Sequence, residues 1–152
     1  MDVLIDTGIL LRLLHRADPK NGPIRETLRE LKKAGDVPVA TTQNIAEFWN
    51  VCTRPASARG GLGLSNMETA KRLRTIERLV RILPDSPATY SIWKNLVVSL
   101  SVSGVQVHDA RLVAAMKVHG VTHILTLNGA DFLRYLGITV LEPISRAVAP
   151  QS

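Results

Sequence analysis

Five oxygen-bearing side chains, Asp6, Glu47, Asp109, Asn128 and Asp131, lie at points where this 152-residue chain changes from one kind of element to another. Asp6 ends the apolar run Val3-Leu4-Ile5, long enough for a strand buried on both faces, and Asn128 and Asp131 follow a similar run at 121–125. Asp109 opens the helical pattern DARLVAAMKVHG, and Glu47 adjoins the apolar stripe of QNIAEFWNVCT about one turn from its start. Carboxylates gathered from distant segments without a histidine or cysteine cluster make an all-oxygen site, the kind Mg²⁺ or Mn²⁺ prefers. Zinc is disfavoured, because His15, His108, His119 and His123 show no H-E-x-x-H spacing and Cys52 is the lone cysteine. Each acid also has an ordinary reading: Asp6 or Thr7 as a helix N-cap, Asp109 as a cap, Glu47 facing solvent or pairing with Arg54.

The elements that would position these residues alternate between strand and helix. After the strand at 3–5, Ile9, Leu10 and Leu13 resume at helical spacing, and His15 to Asn21 reads as a loop. Gly22 and Pro23 lead into a helix with Ile24, Leu28 and Leu31 on its apolar stripe, closed by Lys32, Lys33 and Gly35. A strand at 37–40 is expected to be brief or near an edge, since Pro38 lacks a ladder donor. Thr41 and Thr42 offer caps for the next helix, whose apolar face is Ile45, Phe48, Trp49 and Cys52. Pro55 to Gly63 reads as a flexible connection. Ser65 then caps a basic helix with Met67, Ala70, Leu73, Ile76 and Val80 on its apolar side. A minimal strand at 82–83 follows, then a helix begun by Asp85, Ser86 and Pro87 with Tyr90, Trp93, Leu96, Val97 and Leu100 at helical spacing. Gly120 closes the helix that His108-Asp109 opens, a last strand covers 138–141, and residues 146–152 are expected to fray. This order predicts an α/β fold, a three-layer α/β/α sandwich with a central parallel sheet and right-handed crossovers. Ligands of such sheets bind outside the carboxyl ends of the strands, so the acids are expected to share that edge.

A chain of this length suits one domain, placed at 1–145, which buries roughly 70% of its unfolded surface. With 45% hydrophobic and 21% charged residues and no apolar run of membrane-spanning length, a cytoplasmic globule is expected. Asp2 and Asp6 interrupt the N-terminal apolar run as no signal peptide would. Nineteen Lys and Arg against thirteen Asp and Glu give a net charge of +6, which favours a polyanionic partner. The excess gathers at Arg54, Arg59, Lys71, Arg72, Arg74, Arg78 and Arg81, and the 4% aromatic content argues for contact through phosphates rather than base stacking; the alternative is a solvated basic helix face. Phosphate-binding, dinucleotide and esterase motifs (G-x-x-x-x-G-K-[ST], G-x-G-x-x-G, G-x-S-x-G) do not occur.

Taken together, VLIDTGILLRLL, IAEFWNVCTRP, HDARLVAAMKVHGVTHILTLNGADF and LGITVLEP resemble a PIN-domain ribonuclease of the VapC toxin type over nearly all of residues 2–143. The resemblance implies metal-assisted hydrolysis of RNA phosphodiester bonds to 5′-phosphate and 3′-hydroxyl products, with Mg²⁺ as cofactor and Mn²⁺ as a substitute. It matches the family's first three acids to Asp6, Glu47 and Asp109. Many members carry a further acid where this chain has Asn128; Asn128 would offer an amide oxygen, and Asp131, three residues on, the missing charge. Asp6 and Asp109 would be the main ligands, with Glu47 and Asp131 completing a second ion or helping to deprotonate the attacking water. Thr7 and Thr126 would orient the ligands, and Arg54, Arg59, Lys71, Arg72, Arg74 and Arg78 would hold the RNA backbone. The implied partners are RNA, a VapB-like antitoxin and a second copy of the chain. Leu10, Leu11, Leu14, Leu28 and Leu31 exceed what one core face needs and would form the docking groove. Two other classes stay open: a non-catalytic RNA- or protein-binding module, prompted by Asn128, and a phosphatase with Asp6 as nucleophile, although Gly8 stands where that class carries a second aspartate.

Overall fold

The first apolar run forms the central strand of the sheet, β1 (Asp2–Ile5). The computed structural model describes residues 1–144, so the tail expected to fray lies outside the described residues. Strand β1 pairs in parallel with β2 (Val37–Thr41) on one side, Leu4 opposite Val39, and with β4 (His123–Leu125) on the other, Ile5 opposite Leu125. Beyond them lie β3 (Arg81–Leu83) and β5 (Thr139–Leu141), giving an all-parallel sheet of order β3-β2-β1-β4-β5. Among the described residues six helices cover the sheet: α1 (Thr7–Leu13), α2 (Asn21–Lys33), α3 (Thr42–Thr53), α4 (Asn66–Leu79), α5 (Thr89–Ser99) and α6 (Gln106–Val118).

Strand periodicity splits β1 between two cores. Val3 and Ile5 pack with Ile9, Leu10, Ile24, Phe48, Cys52 and Ile76 beneath α1 to α4, whereas Leu4 packs with Leu112, Val113, Met116 and Ile124 beneath α6, with α5 leaning on it through Trp93, Leu96 and Val97. Complete burial of each Leu or Ile side chain contributes about 1.5–3 kcal/mol, which is why continuous apolar runs specify central strands. The chain winds from β1 outward to β2 and β3, then returns to β4 on the opposite side of β1. The sheet's switch point therefore falls between β1 and β4, where a crevice opens at the strands' carboxyl ends. Asp6 and Thr126 are the first residues beyond those two ends, joined by the Asp6 N–H donating to the Leu125 carbonyl at 3.0 Å.

Several local expectations are refined or revised. Strand β2 lies one in from the edge strand β3, as near an edge as Pro38 suggests, and tolerates the proline because the β2–β3 pairing begins only at Val39, after its missing N–H. The 55–63 connection is tied down: the Gly63 N–H donates to the Arg54 carbonyl at 2.8 Å and Leu64 to Cys52 at 2.8 Å. A Cβ on Gly61 would lie 2.2 Å from the Pro55 oxygen, so this glycine serves close packing. Met67 is exposed, and the buried face of α4 is Thr69 and Ile76. Helix α5 begins at Thr89, and α6 begins at Gln106, ahead of His108. Leu10 and Leu28 are core residues rather than spare surface, leaving Leu11, Leu14 and Leu31 partly buried.

Candidate active site

Asp6 follows β1 directly, and both of its carboxylate oxygens are held. The Thr7 N–H donates to Oδ1 at 2.8 Å and Thr126 Oγ1 donates to Oδ2 at 2.7 Å. The helix-cap reading of Asp6 is thus true of one oxygen, while the other is fixed from 120 residues away across the switch point. Thr126 is itself oriented, accepting from the Asn128 N–H at 3.1 Å.

Glu47 enters from α3, whose start is fixed by a reciprocal cap between Thr41 and Asn44. It neither faces open solvent nor pairs with Arg54. Thr7 Oγ1 donates to Oε2 at 2.8 Å and Gln43 Nε2 donates to Oε1 at 3.0 Å, while Asn44 Nδ2 donates to Thr7 Oγ1 at 3.1 Å. Gln43 also donates to the His108 carbonyl at 2.9 Å and accepts from Arg111 Nη1 at 3.2 Å, which ties α3 to the first turn of α6. Asp109 stands in that turn without capping it. Asp131 is exposed in the 3-10 turn Gly129–Phe132, which Gly129 lets sit tightly on β5, since a Cβ there would lie 2.8 Å from Val140 Cγ1.

The four acids feel one another. Burial raises the Asp6 carboxyl above its ordinary value, and Glu47 and Asp131 raise it further against the lowering effect of Thr126 and the Thr7 N–H. Burial, then the charges of Asp131, Asp6 and Glu47, push Asp109 up to about 6, with His108 acting in the opposite direction. Residues 6, 47, 109 and 131 thus lie within electrostatic reach of one another at the carboxyl edge of the sheet. Among the described residues, none of the four forms an ion pair with Lys or Arg. Nor do three His, Cys, Asp or Glu side chains stand close enough together to hold an ion as they are. The donor set fits a hard divalent cation: it is all oxygen, it is anionic, and no Lys or Arg among the described residues pairs with it.

Asn128 is exposed beside this group. The six basic residues are not brought to the acids by any hydrogen bond or ion pair among the described residues. Arg54 Nη1 donates to the Arg59 carbonyl at 2.7 Å and so closes the loop, Arg72 acts electrostatically on buried Cys52, and Lys71, Arg74 and Arg78 are exposed along α4. Sequence reading missed Gln43, Asn44 and Arg111. The spacing of Gln43 and Glu47, four residues apart on one helix, was a usable signal for the first; Arg111 offered none, because its partner is 68 residues away.

A family model described as the PIN domain matches residues 3–136. No curated protein sequence matches the chain. Among solved structures, VapBC2 of Rickettsia felis bound to a promoter DNA fragment is 13% identical with a TM-score of 0.72, covering 93% of this chain and 98% of that one. VapBC-1 of nontypeable Haemophilus influenzae is 15% identical with a TM-score of 0.67, covering 93% and 98%. VapC20 of Mycobacterium tuberculosis, a toxin that cleaves the sarcin-ricin loop, is 18% identical with a TM-score of 0.58, covering 85% and 92%.

Proposed function

This chain belongs to the PIN-domain family, and from that premise we propose that it is a Mg²⁺-dependent endoribonuclease, the toxin of a toxin–antitoxin pair. The single observation that carries the reading is that Asp6, Glu47, Asp109 and Asp131 lie within electrostatic reach of one another while none of them pairs with a Lys or Arg among the described residues. In this reading Asp6, Glu47, Asp109 and Asp131 hold the divalent ion, with the amide oxygen of Asn128 as a further donor. The ion, when bound, supplies Lewis acidity that neutralises phosphate charge and acidifies the attacking water. The chain's own residues do the rest. Thr126 and the Thr7 N–H hold both oxygens of Asp6, and Thr7 with Gln43 holds Glu47, so these two carboxylates are each oriented by partners of their own. Where Glu47 and Asp131 do not complete the ion's ligands, they help to deprotonate the attacking water. Lys71, Arg74 and Arg78, with Arg54, Arg59 and Arg72, supply the positive field that draws in the RNA backbone.

The solved structures of similar fold include toxin–antitoxin complexes, which supports a small antitoxin as partner. We place it on the groove of about 410 Å³ bounded by Leu13, Leu14, Leu79, Arg16, Arg25 and Arg29, whose apolar floor and cationic rim suit an acidic amphipathic helix. A second copy of the chain is the remaining proposed partner. No helix among the described residues is long and apolar enough to cross a membrane. The test is incubation with RNA and Mg²⁺ beside an Asp6→Asn variant. Cleavage by the unaltered protein and none by the variant supports the reading, whereas equal cleavage by both removes it. RNA binding with neither cleavage nor Mg²⁺ binding would favour the non-catalytic module that Asn128 suggests.

A further inference from the structure

We propose that the cleft between α5 and the start of α6 is a subsite for one unpaired nucleotide of the RNA, its base packed on the Tyr90 ring and its phosphate on Arg111. The inference rests on the ribonuclease reading and names the form of substrate it takes. The cleft has a volume of about 430 Å³ and is lined by Ser86, Pro87, Thr89, Tyr90, Trp93 and Arg111, so its one charged wall is a cation. That size falls within the range of about 300–1,000 Å³ typical of small-ligand sites. The adjoining hollow around Thr42, Gln43 and His119 holds only about 60 Å³, too little for a base.

The aromatic content argued against stacking, but the fold gathers two of the few aromatic rings at this one place. Tyr90 is 66% exposed, an apolar ring left in water, with the Trp93 ring centroid 6.2 Å away and tilted by 34°. Trp93 is held in turn, since Nε1 donates to the Val107 carbonyl at 2.9 Å, so the platform is built before a ligand arrives. Arg111 links the cleft to the acids, because its guanidinium donates to Gln43, whose amide donates to Glu47. Asp109 and Arg111, two residues apart on α6, project from different faces of that helix, so it is the Arg111–Gln43–Glu47 chain of hydrogen bonds that joins the cleft to the acids. A strand whose phosphate lies at the acids would thus place a neighbouring nucleotide in the cleft. Only a base free of a duplex stack can lie on Tyr90, so the nucleotide in the cleft is unpaired.

The experiment measures equilibrium binding by fluorescence anisotropy in Mg²⁺, with an Asp6→Asn protein that keeps the RNA intact. A single-stranded RNA carrying one abasic residue is compared with the intact strand, the abasic residue being stepped through every position. One position is expected to weaken binding about tenfold, in line with the stacking of one base on an aromatic ring. Adding Tyr90→Ala is expected to weaken the intact strand equally and that abasic strand no further, Tyr90→Phe to restore binding, and Arg111→Gln to lower the salt slope by about one. Abasic penalties that are identical with and without Tyr90→Ala overturn the subsite, as does a duplex that binds as tightly as the single strand, or no RNA binding at all. Cleavage is scored separately with Asp6 intact. Absence of cleavage beside the expected binding pattern overturns the ribonuclease reading alone, and cleavage beside a flat abasic scan overturns the subsite alone.

Discussion

The two edges of the sheet treat their carboxylates in opposite ways. At the amino-terminal edge Asp2 pairs with Arg81, and Asp36 pairs with the Met1 α-amino group at 3.0 Å. At the carboxyl edge Asp6, Glu47, Asp109 and Asp131 converge without one such partner among the described residues, in a chain whose net charge is +6. Cations were available to the fold and were placed elsewhere. Burying like charges beside one another costs free energy, and a fold keeps such an arrangement where something outside the chain compensates it. The difference between the edges is the physical ground for expecting a divalent cation at one and only stability at the other.

Substitutions can break this contrast, and the largest expected effect is on turnover. Losing Asp6 as a ligand while keeping its shape, as Asp6→Asn does, is expected to lower RNA cleavage more than about 10³-fold, since a bound ion contributes several kcal/mol to the transition state. Asp2→Asn at the opposite edge is expected to leave the rate unchanged. Initial rates on one RNA measure both, and equal losses at the two edges would end the distinction. A smaller effect is expected one step out from the ligands. Thr126→Val deletes the hydroxyl that aims Asp6 Oδ2 and should weaken Mg²⁺ binding about 10–100-fold, read by titration calorimetry.

Stability supplies the smallest effects and sets the edges against each other in sign. Asp109 holds its proton up to about 6 in the folded protein and to 3.8 in the unfolded chain. The folded state therefore binds more protons between those values, and the metal-free protein loses stability as pH rises through them. Asp109→Asn carries no charge to bury, so it is expected to raise the melting temperature by a few degrees at pH 7.5 and to have no such effect below pH 4. Asp2→Asn removes an exposed ion pair and should lower stability by less than about 1 kcal/mol at neutral pH. Thermal melts in chelator check both, and a destabilising Asp109→Asn at pH 7.5 would contradict the electrostatic account.

How far these features could be read in advance depends on the range of the interactions that make them. The runs around Val3–Ile5 and Val121–Leu125 marked central strands, and Asp6 and Asp131 followed as edge residues, because a buried strand and its carboxyl end are local patterns. The closing glycines Gly35 and Gly120 were equally local, each taking a positive φ after its helix. Why Pro38 is tolerated was not legible, because that depends on where β3 begins, more than forty positions later. Leu10 and Leu28 looked surplus because α1 and α2 share one core with α3 and α4, which helical spacing alone does not reveal. The network of Gln43, His108 and Arg111 was invisible for the same reason, and the helical spacing of Tyr90 and Trp93 does not show that the fold leaves Tyr90 exposed beside a cleft.

Proton-linked calorimetry tests the central claim most directly. Mg²⁺ titrated into the chelator-treated protein at pH 6 and pH 7.5, in two buffers of different ionisation enthalpy, should bind at both values. Because Asp109 titrates near 6, binding should release more protons at pH 6 than at pH 7.5, and the difference should shrink in Asp109→Asn. Absence of binding heat, or a titration unchanged by both Asp6→Asn and Asp109→Asn, would mean that the acids at the switch point do not hold an ion.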